Sequence, residues 1–279
     1  MGEWKSKWII NNEGWNSELT YKDDQQITGI IGDSYIQTIY FDPKNHVYNL
    51  FKNQVPSREY YAFGIQGASF SQYLNILKYA SEKYQMDSVF IFLDNNDIEE
   101  SIFNMVRMPR NMQLKIKDDI VTEVPAKYHE KIYRNLLKEM AGFRYFLMNF
   151  SFRLDFGAAK ENKKKEISDG EVIEKMKRQA VKYIVNKIKS CKVKHITFVL
   201  DANREDIYRG GTESHSKFWK YFPHIEDSEN VLVIDLHPFL KEVYAENKVQ
   251  FEISDENNHW NLETNKMIVK YVSAKAGMR

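Results

Sequence analysis

The sequence predicts an α/β fold of three layers, in which a parallel sheet of about five strands is covered by helices on both faces. Helix-length segments separate five short apolar runs, and near-continuous apolar runs are typical of strands buried on both faces. Strands that alternate with helices join as right-handed crossovers, which place the helices on the two faces of the sheet. The five runs are Ile27–Ile31, Tyr60–Ile65, Ser88–Leu93, His195–Leu200 and Val231–Asp235.

Apolar residues at helical spacing predict the helices that connect these strands. A short helix lies within residues 40–59, an amphipathic helix follows Ser69, and a long helix begins at the capping box that starts with Ser168. The buried stripe of the long helix includes Cys191, so the pattern predicts that this cysteine is an inert core residue. A final helix follows Asn261.

The alternation of strands and helices is interrupted between the third and fourth strands. Residues 104–165 are predicted to be an insertion within a single domain that spans residues 1–279. Alternating apolar and polar residues from Met112 to Val124 predict a hairpin, and helical spacing predicts a helix from Tyr128 to Met148. Before the first strand, Trp4 to Asp24 is predicted to be an extended arm that packs on the outside of the sheet.

The composition restricts the possible partners and cofactors. Lys and Arg number 40 and Asp and Glu number 39, so the formal net charge of +1 provides no field to hold nucleic acid or an anionic membrane. No apolar run approaches the roughly 18 residues that span a bilayer, and Met1–Lys5 does not have the character of a signal peptide. A leader or an anchor could have been removed, so the compartment is left open, as is the oligomeric state.

No metal or cofactor is predicted. The single cysteine excludes an internal disulfide and any cysteine-based metal site. No glycine-rich fingerprint follows the first strand, which disfavours a phosphate or dinucleotide binder.

Ser34 stands at the point where the first predicted strand is followed by residues that can start a helix. Backbone N–H groups at a helix start are unpaired and the local dipole is positive, so negative charge on a substrate oxygen is stabilised there. Ser34 is therefore a candidate nucleophile, and a helix-capping serine is the alternative.

Four polar motifs occur in order along the chain, and three of them end predicted strands, where ligands bind in open α/β sheets. They are Gly32-Asp33-Ser34, Phe63–Gly67, Asn96-Asp97 and Asp255–Asn261. Together they resemble the sequence blocks of the SGNH/GDSL hydrolases, a family of serine esterases and acyltransferases on a flavodoxin-like sheet. The resemblance covers nearly the whole chain, with the insertion matched loosely. The lead-in Asn12-Glu13-Gly14 looks like that of members that modify surface glycans.

The resemblance implies a catalytic triad. Ser34 is the nucleophile, and His259 is the base that takes the proton of its hydroxyl. A carboxylate on the other ring nitrogen would fix the tautomer and stabilise the imidazolium. Asp255, four residues before His259, is the first choice for this acid and Glu256 is the second. The acid of the family usually lies two or three residues before the histidine.

The resemblance also implies an oxyanion hole, formed by the backbone N–H groups of Ser34 and Gly67 and the side-chain amide of Asn96. The alternatives are a turn glycine at Gly67 and a helix cap at Asn96. The family usually has glycine two residues before this asparagine. Asp94 occupies that position here and is expected to place a bulkier, charged side chain beside the pocket.

These assignments predict a serine esterase that removes a short O-acyl group, an acetyl group, from a carbohydrate through an acyl-serine. The predicted partner is an acylated carbohydrate or a small ester. One alternative is an O-acyltransferase that uses the same intermediate, and another is a glycan-binding module with a decayed site. After the fourth strand, Asp201, Asn203 and Arg204 either contact substrate or form a satisfied hydrogen-bond network.

Overall fold

A computed structural model describes residues 8–127, 170–222, 225 and 230–277. The strands are β1 (Gln26–Gly32), β2 (Tyr60–Gly64), β3 (Gln85–Leu93), β4 (Gln113–Lys117), β5 (Ile120–Val124), β6 (His195–Leu200), β7 (Val231–Asp235), β8 (Glu252–Ser254) and β9 (Asn257–Trp260). The helices are α1 (Ser34–Gln37), α2 (Val47–Gln54), α3 (Phe70–Lys83), α4 (Asp97–Glu100), α5 (Gly170–Lys189), α6 (Arg204–Tyr208), α7 (Leu236–Asn247) and α8 (Leu262–Lys275). Short 3₁₀ turns span Pro43–Asn45 and Trp219–Tyr221.

Five strands form a central sheet in the order β2-β1-β3-β6-β7, and every neighbouring pair is parallel. Counted along the sheet strands alone, this is the 2-1-3-4-5 order of flavodoxin-like folds. The fold class predicted from the five apolar runs is thus confirmed. All five strands end at one edge of the sheet, where the polar segments that follow them meet.

Helices cover both faces of this sheet. Side chains alternate along a strand, so neighbouring residues of β1 enter different cores. Ile31 packs with Leu77 of α3 and Ile184 of α5, whereas Ile30 packs with Phe51 of α2 and Ile268 of α8. The three-layer arrangement follows from this division. Within the described ranges, no helix is both long enough and apolar enough to cross a membrane.

The N-terminal arm packs on the edge strand β2. The ring of Tyr21 is 3% exposed and stacks on Tyr61 with ring centroids 3.8 Å apart. The Tyr21 hydroxyl donates to the carbonyl of Ala62 at 2.9 Å, and the side-chain amide of Asn16 donates to the carbonyl of Gln37 at 2.8 Å. The arm therefore supports the strand and the helix that flank Ser34.

The hairpin predicted between the third and fourth sheet strands is present as the antiparallel pair β4 and β5. Leu114 is fully buried, and its N–H donates to the carbonyl of Ser101 at 2.7 Å. The predicted helix from Tyr128 to Met148 lies outside the described residues. The extent of the insertion and of a single domain stays a prediction.

Two local features differ from the sequence-based expectation. Cys191 is only partly buried, because α5 ends at Lys189 and the cysteine lies beyond its last turn. Partial burial raises the pKa of its thiol. The residues before the last helix form a second antiparallel hairpin, β8–β9, in which Ser254 pairs with Asn257. Its strands are too short and too polar to give an alternating apolar pattern.

Replacing Gly64 should destabilise the protein by about 3 kcal/mol, since overpacking against backbone is costly. A Cβ at this position would lie 2.2 Å from the backbone nitrogen of Gln37 and 2.6 Å from the carbonyl carbon of Ile36. We expect urea unfolding of Gly64→Ala to show this loss. Gly170→Ala is the matched control, because no atom of the described residues lies within 4 Å of its added methyl group. Equal unfolding free energies for the two variants would contradict the close approach of β2 to α1.

Candidate active site

Ser34 lies on a tight connection between the first strand and the first helix. β1 ends at Gly32, and α1 begins at Ser34 itself. The intervening Asp33 caps the helix, and its Oδ1 accepts a hydrogen bond from the N–H of Tyr35 at 3.0 Å. So short a connection holds the Ser34 hydroxyl at the carboxyl edge of the sheet, where the residue is 9% exposed.

The structure brings the side chains of Ser34 and His259 together. His259 lies on β9, 225 residues further along the chain, and its Nε2 is 2.7 Å from the Ser34 Oγ. This distance is within the range for a serine hydroxyl that donates to an imidazole base. The two predicted members of the triad thus have the geometry that proton transfer requires.

The third partner is Asn257. Its Oδ1 is 2.7 Å from the His259 Nδ1 and also accepts a hydrogen bond from the His259 backbone N–H at 3.2 Å. A backbone N–H can only donate, so the atom of the amide that faces both groups is its oxygen. The His259 Nδ1 must then carry the ring proton, which leaves the lone pair of Nε2 directed at Ser34.

Neither of the predicted acids contacts His259. Asp255 and Glu256 form the exposed turn between β8 and β9, and the Asp255 Oδ1 accepts a hydrogen bond from the Gln250 side chain at 3.1 Å. Among the described residues, no carboxylate lies within 4.0 Å of a ring nitrogen of His259. Residues two apart on a strand share one face, which favours Asn257 as the partner. The two-residue spacing between Asn257 and His259 could have indicated this contact, but only if the short strand β9 had been predicted.

The surroundings of His259 favour its neutral form. Burial, and secondarily the positive charge of Arg204, lower the pKa of the imidazole below its ordinary value of 6.5. The rings of Tyr35 and Tyr40 flank the imidazole, with centroid separations of 4.8 and 4.7 Å. At neutral pH the ring is therefore able to accept a proton. Among the described residues, no carboxylate in contact with the ring stabilises the imidazolium that forms.

Asp33 adds a second polar contact to the nucleophile. Its Oδ2 lies 3.2 Å from the Ser34 Oγ. Burial raises the pKa of the Asp33 carboxyl to about 6, although hydrogen bonds from Tyr35 and Ser34 oppose the rise. A serine hydroxyl has one proton, so an ionised Asp33 competes with His259 for it.

Three more carboxyl groups lie behind this site: Asp97 and Asp201 are buried, and Asp94 is partly buried. Burial is the main cause that raises the pKa of Asp94 to about 7, and the charges of Asp201 and Asp33 add to it. Burial also raises the pKa of Asp97, whose Oδ2 accepts hydrogen bonds from the Tyr73 hydroxyl at 3.1 Å and from the Asp94 N–H at 2.7 Å. Burial and the neighbouring carboxylates thus favour the neutral form of Asp94, which the sequence analysis expected to be charged.

The predicted oxyanion donors come from the three segments that follow β1, β2 and β3, which are neighbours in the sheet about 4.8 Å apart. Gly67 has a φ of 69°, and in the part of the chain that the structure describes no atom lies within 4 Å of the position of a Cβ. Asn96 is exposed at the N-cap position of α4, where its side chain makes no capping hydrogen bond. A glycine at positive φ and an amide not used in capping suit the predicted role, which stays a prediction.

Arg204 links the segments that carry the catalytic candidates. Its side chain is 7% exposed and donates to the carbonyl of Asn258 at 2.7 Å and to the hydroxyl of Tyr35 at 2.8 Å. It also pairs with Asp201 at 3.1 Å and with Glu252 at 3.0 Å. The sequence left open whether the loop after the fourth sheet strand contacts substrate or forms a hydrogen-bond network. The structure shows the network. The network joins β9, next to His259, to α1, next to Ser34.

The other buried polar residues of the loop complete this network. Asp201 also accepts hydrogen bonds from the indole of Trp260 at 3.1 Å and from the N–H of Ala202 at 2.8 Å. The Asn203 side chain donates to Glu213 at 2.8 Å. In the described parts of the chain, no group of three or more His, Cys, Asp or Glu side chains is arranged to hold a metal ion.

Replacing Asn257 should change the ionisation of His259 in a direction that the geometry fixes. We expect Asn257→Asp to raise the pKa of His259 by at least about one unit, because a carboxylate beside Nδ1 favours the charged ring. Asn257→Ala should instead remove the preference for the proton on Nδ1. Both effects can be measured by NMR titration of the imidazole ring between about pH 5 and pH 9.

Asn258→Ala is the matched control for this titration. The Asn258 side chain is exposed, and only its carbonyl takes part in the network. The pKa of His259 should therefore be the same as in the unaltered protein. A pKa that did not rise in Asn257→Asp would show that this side chain does not face the ring.

Loss of the Arg204 charge should destabilise the fold. We expect Arg204→Met to lower the free energy of unfolding by about 3–5 kcal/mol, because it leaves the buried carboxylates of Asp201 and Glu252 without their cation. Arg209→Met is the control, since Arg209 is 76% exposed and pairs with Glu205 on the surface. It should change stability by less than about 1 kcal/mol. Similar values from urea unfolding of both variants would exclude a special role for Arg204.

Comparison with known proteins yields likeness in structure only. No protein-family model matches the sequence, and no curated protein matches it. One similar solved structure is a member of the lipolytic protein G-D-S-L family from Veillonella parvula DSM 2008, with 12% identity, coverage of 91% of this chain and 100% of that chain, and a TM-score of 0.47. A second is TesA, with 12% identity, coverage of 91% and 98%, and a TM-score of 0.46.

A third similar structure is a two-domain esterase active on acetylated mannans, co-crystallised with mannopentaose. It has 12% identity and a TM-score of 0.45, and the match covers 92% of this chain and 50% of that chain. One of these three similar structures is thus described as a member of the G-D-S-L lipolytic family.

Proposed function

We propose that this protein is a serine esterase of SGNH type that removes an acetyl group from a carbohydrate hydroxyl. The observation that carries the proposal is the series Ser34–His259–Asn257, in which both side-chain contacts are 2.7 Å. A serine becomes a nucleophile when a base in hydrogen-bond contact takes its proton, and the tautomer of His259 directs a lone pair at that hydroxyl. The carbohydrate and the acetyl group are proposed from the family resemblance of the sequence blocks.

In the first half of the reaction, the Ser34 Oγ attacks the ester carbonyl while its proton passes to the His259 Nε2. Negative charge develops on the carbonyl oxygen, and the N–H groups of Ser34 and Gly67 and the amide of Asn96 are the donors proposed to stabilise it. Each such donor is worth about 2.7–4 kcal/mol of the barrier. The bond to the sugar oxygen then breaks, and that oxygen takes the proton from His259.

In the second half, water replaces the sugar. His259 accepts a proton from the water, whose oxygen attacks the acyl carbonyl, and the Ser34 Oγ leaves with the proton returned by the imidazole. Acetate is released and the hydroxyl of Ser34 is regenerated. A sugar hydroxyl in place of water would make the same intermediate the donor for an O-acyltransferase.

The amide of Asn257 favours a second candidate, a carbohydrate-binding module without turnover. An asparagine cannot stabilise an imidazolium as a carboxylate does, so catalysis is weakened by this exchange. Replacement of a triad aspartate by asparagine is most damaging when it reverses the tautomer of the histidine. Here the backbone N–H of His259 holds the amide oxygen towards the ring, so the tautomer is the productive one. This is the reason for preferring the esterase.

Turnover of para-nitrophenyl acetate tests the proposal. We expect the unaltered protein to release para-nitrophenol and Ser34→Ala to lower kcat by at least about 10³-fold, because the covalent route is removed. Intact-mass measurement should show an acetyl adduct that maps to Ser34. Ser190→Ala is the control, since Ser190 is an exposed serine whose hydroxyl donates to the carbonyl of Lys187 at 2.7 Å in the same helix end. Turnover that Ser34→Ala leaves unchanged would overturn the proposal.

A further inference from the structure

A cleft of about 390 Å³ lies at the carboxyl edge of the sheet, next to the segment that follows β3. Its walls are formed by Asn95, Ile98 and Glu99, by Lys177 of α5, and by Glu213 and most residues from His215 to Tyr221. None of Ser34, His259 and Asn257 lines it, so it is separate from the site of acyl transfer. Its volume is that of a site for one small ligand or one unit of a larger one.

Two polar atoms in the walls of this cleft have no partner among the described residues. They are the Oδ1 of Asn95 and the Oγ of Ser216, and both atoms are buried. Ser216 is 5% exposed, although its N–H is well bonded to Asp235 at 2.9 Å. Buried polar groups are nearly always hydrogen-bonded, so two in one cleft indicate a ligand that supplies hydroxyl groups after small side-chain rotations.

An aromatic surface adjoins these atoms. The imidazole of His215 stacks on the indole of Trp219, with ring centroids 4.9 Å apart and planes within 11°. The His215 Nδ1 lies 3.2 Å from a carboxylate oxygen of Asp235, which holds the stack in place. Tyr221 lines the same cleft and is half-buried. A flat ring beside polar groups matches a sugar, which has C–H faces and hydroxyl edges.

Charged groups in the cleft are already held in position. Lys177 is 14% exposed, and its Nζ lies 2.6 Å from a carboxylate oxygen of Glu99. Tyr221 donates to Glu174, which in turn pairs with Lys220 at 2.8 Å. Opposite charges alternate along this wall, so it offers donors and acceptors to a neutral polyhydroxyl ligand. Groups that are ordered before binding lose less entropy when the ligand arrives.

One wall of the cleft follows the strand that is adjacent to the strand before the nucleophile. β1 and β3 are adjacent, with Ile31 paired to Ile91, and neighbouring strands are about 4.8 Å apart. Ser34 follows the end of β1 and Asn95 follows the end of β3, so the Asn95 wall belongs to the segment next to the serine. The opposite wall comes from residues between Glu213 and Tyr221, which follow β6 and α6 in the chain.

We infer that this cleft binds a sugar residue of the same carbohydrate whose ester is presented to Ser34. The inference rests on the proposed function and assigns substrate selection to Trp219, Asn95 and Ser216. It separates two parts of one substrate: the acyl group reacts at Ser34, and the sugar is held one strand further along the sheet edge.

Two kinds of ester substrate separate sugar binding in the cleft from acyl transfer at Ser34. Hydrolysis of para-nitrophenyl acetate needs no sugar contact, so Trp219→Ala should leave its kcat/KM within about twofold. For a panel of O-acetylated xylan, mannan and chitin oligosaccharides, Trp219→Ala should raise KM at least about tenfold. Tyr271→Ala is the control, because Tyr271 is a half-buried aromatic residue that stacks on Phe239 on the opposite face of the sheet. It should alter neither substrate.

Equal loss on both esters in Trp219→Ala, or no loss on the oligosaccharides, would overturn the inference. If the unaltered protein hydrolyses neither ester, the proposed esterase function fails, and the cleft is tested by binding alone. Ser34→Ala protein would then be titrated with the same oligosaccharides, both acetylated and free, by NMR. Binding that Trp219→Ala abolishes supports the cleft, and absence of binding to every oligosaccharide overturns it.

Discussion

The guanidinium of Arg204 is the contact on which the arrangement of the site depends. Ser34 and His259 are far apart in the chain, and no strand of the central sheet carries the histidine. The hairpin β8–β9 must therefore be attached to the sheet edge by other means. Arg204 binds the carbonyl of Asn258, immediately before His259, and the hydroxyl of Tyr35, immediately after Ser34. A planar guanidinium with several fixed donors can hold both at once, which a lysine ammonium cannot do in the same way.

The parallel sheet explains why so many carboxyl groups meet behind this site. Strands of one direction bring their following segments to a common edge, and three of those segments carry Asp33, Asp94 and Asp201. Burial and mutual repulsion raise the pKa of Asp94, and Arg204 offsets part of the repulsion. The guanidinium that holds the β8–β9 hairpin thus also reduces the electrostatic repulsion among the carboxylates at this edge of the sheet. Structure and electrostatics are coupled through one side chain.

Asn257 separates two tasks that a triad carboxylate performs together. One task is to select the tautomer of the histidine, and the other is to stabilise the imidazolium by charge. The amide oxygen of Asn257 performs the first, because the N–H of His259 fixes its orientation. Burial and the positive charge of Arg204 lower the pKa of the imidazole, which favours its neutral, proton-accepting form. In such a site the neutral imidazole is more often available as a base, but the imidazolium that forms during the reaction is less well stabilised.

The sequence by itself determined the confirmed fold class and which segments reach the carboxyl edge of the sheet. Both depend on local patterns, such as the apolar runs that end at Ile31 and Leu93, and each such pattern can be recognised within its own segment of the chain. It also singled out Ser34 and His259, and their catalytic roles stay predictions. Only the tertiary structure decided that Asn257, rather than Asp255, lies against His259, and that Arg204 joins the hairpin to the first helix. The reason is physical: contacts between distant segments depend on strand pairing and on the path of the chain in space, and neither has a local period.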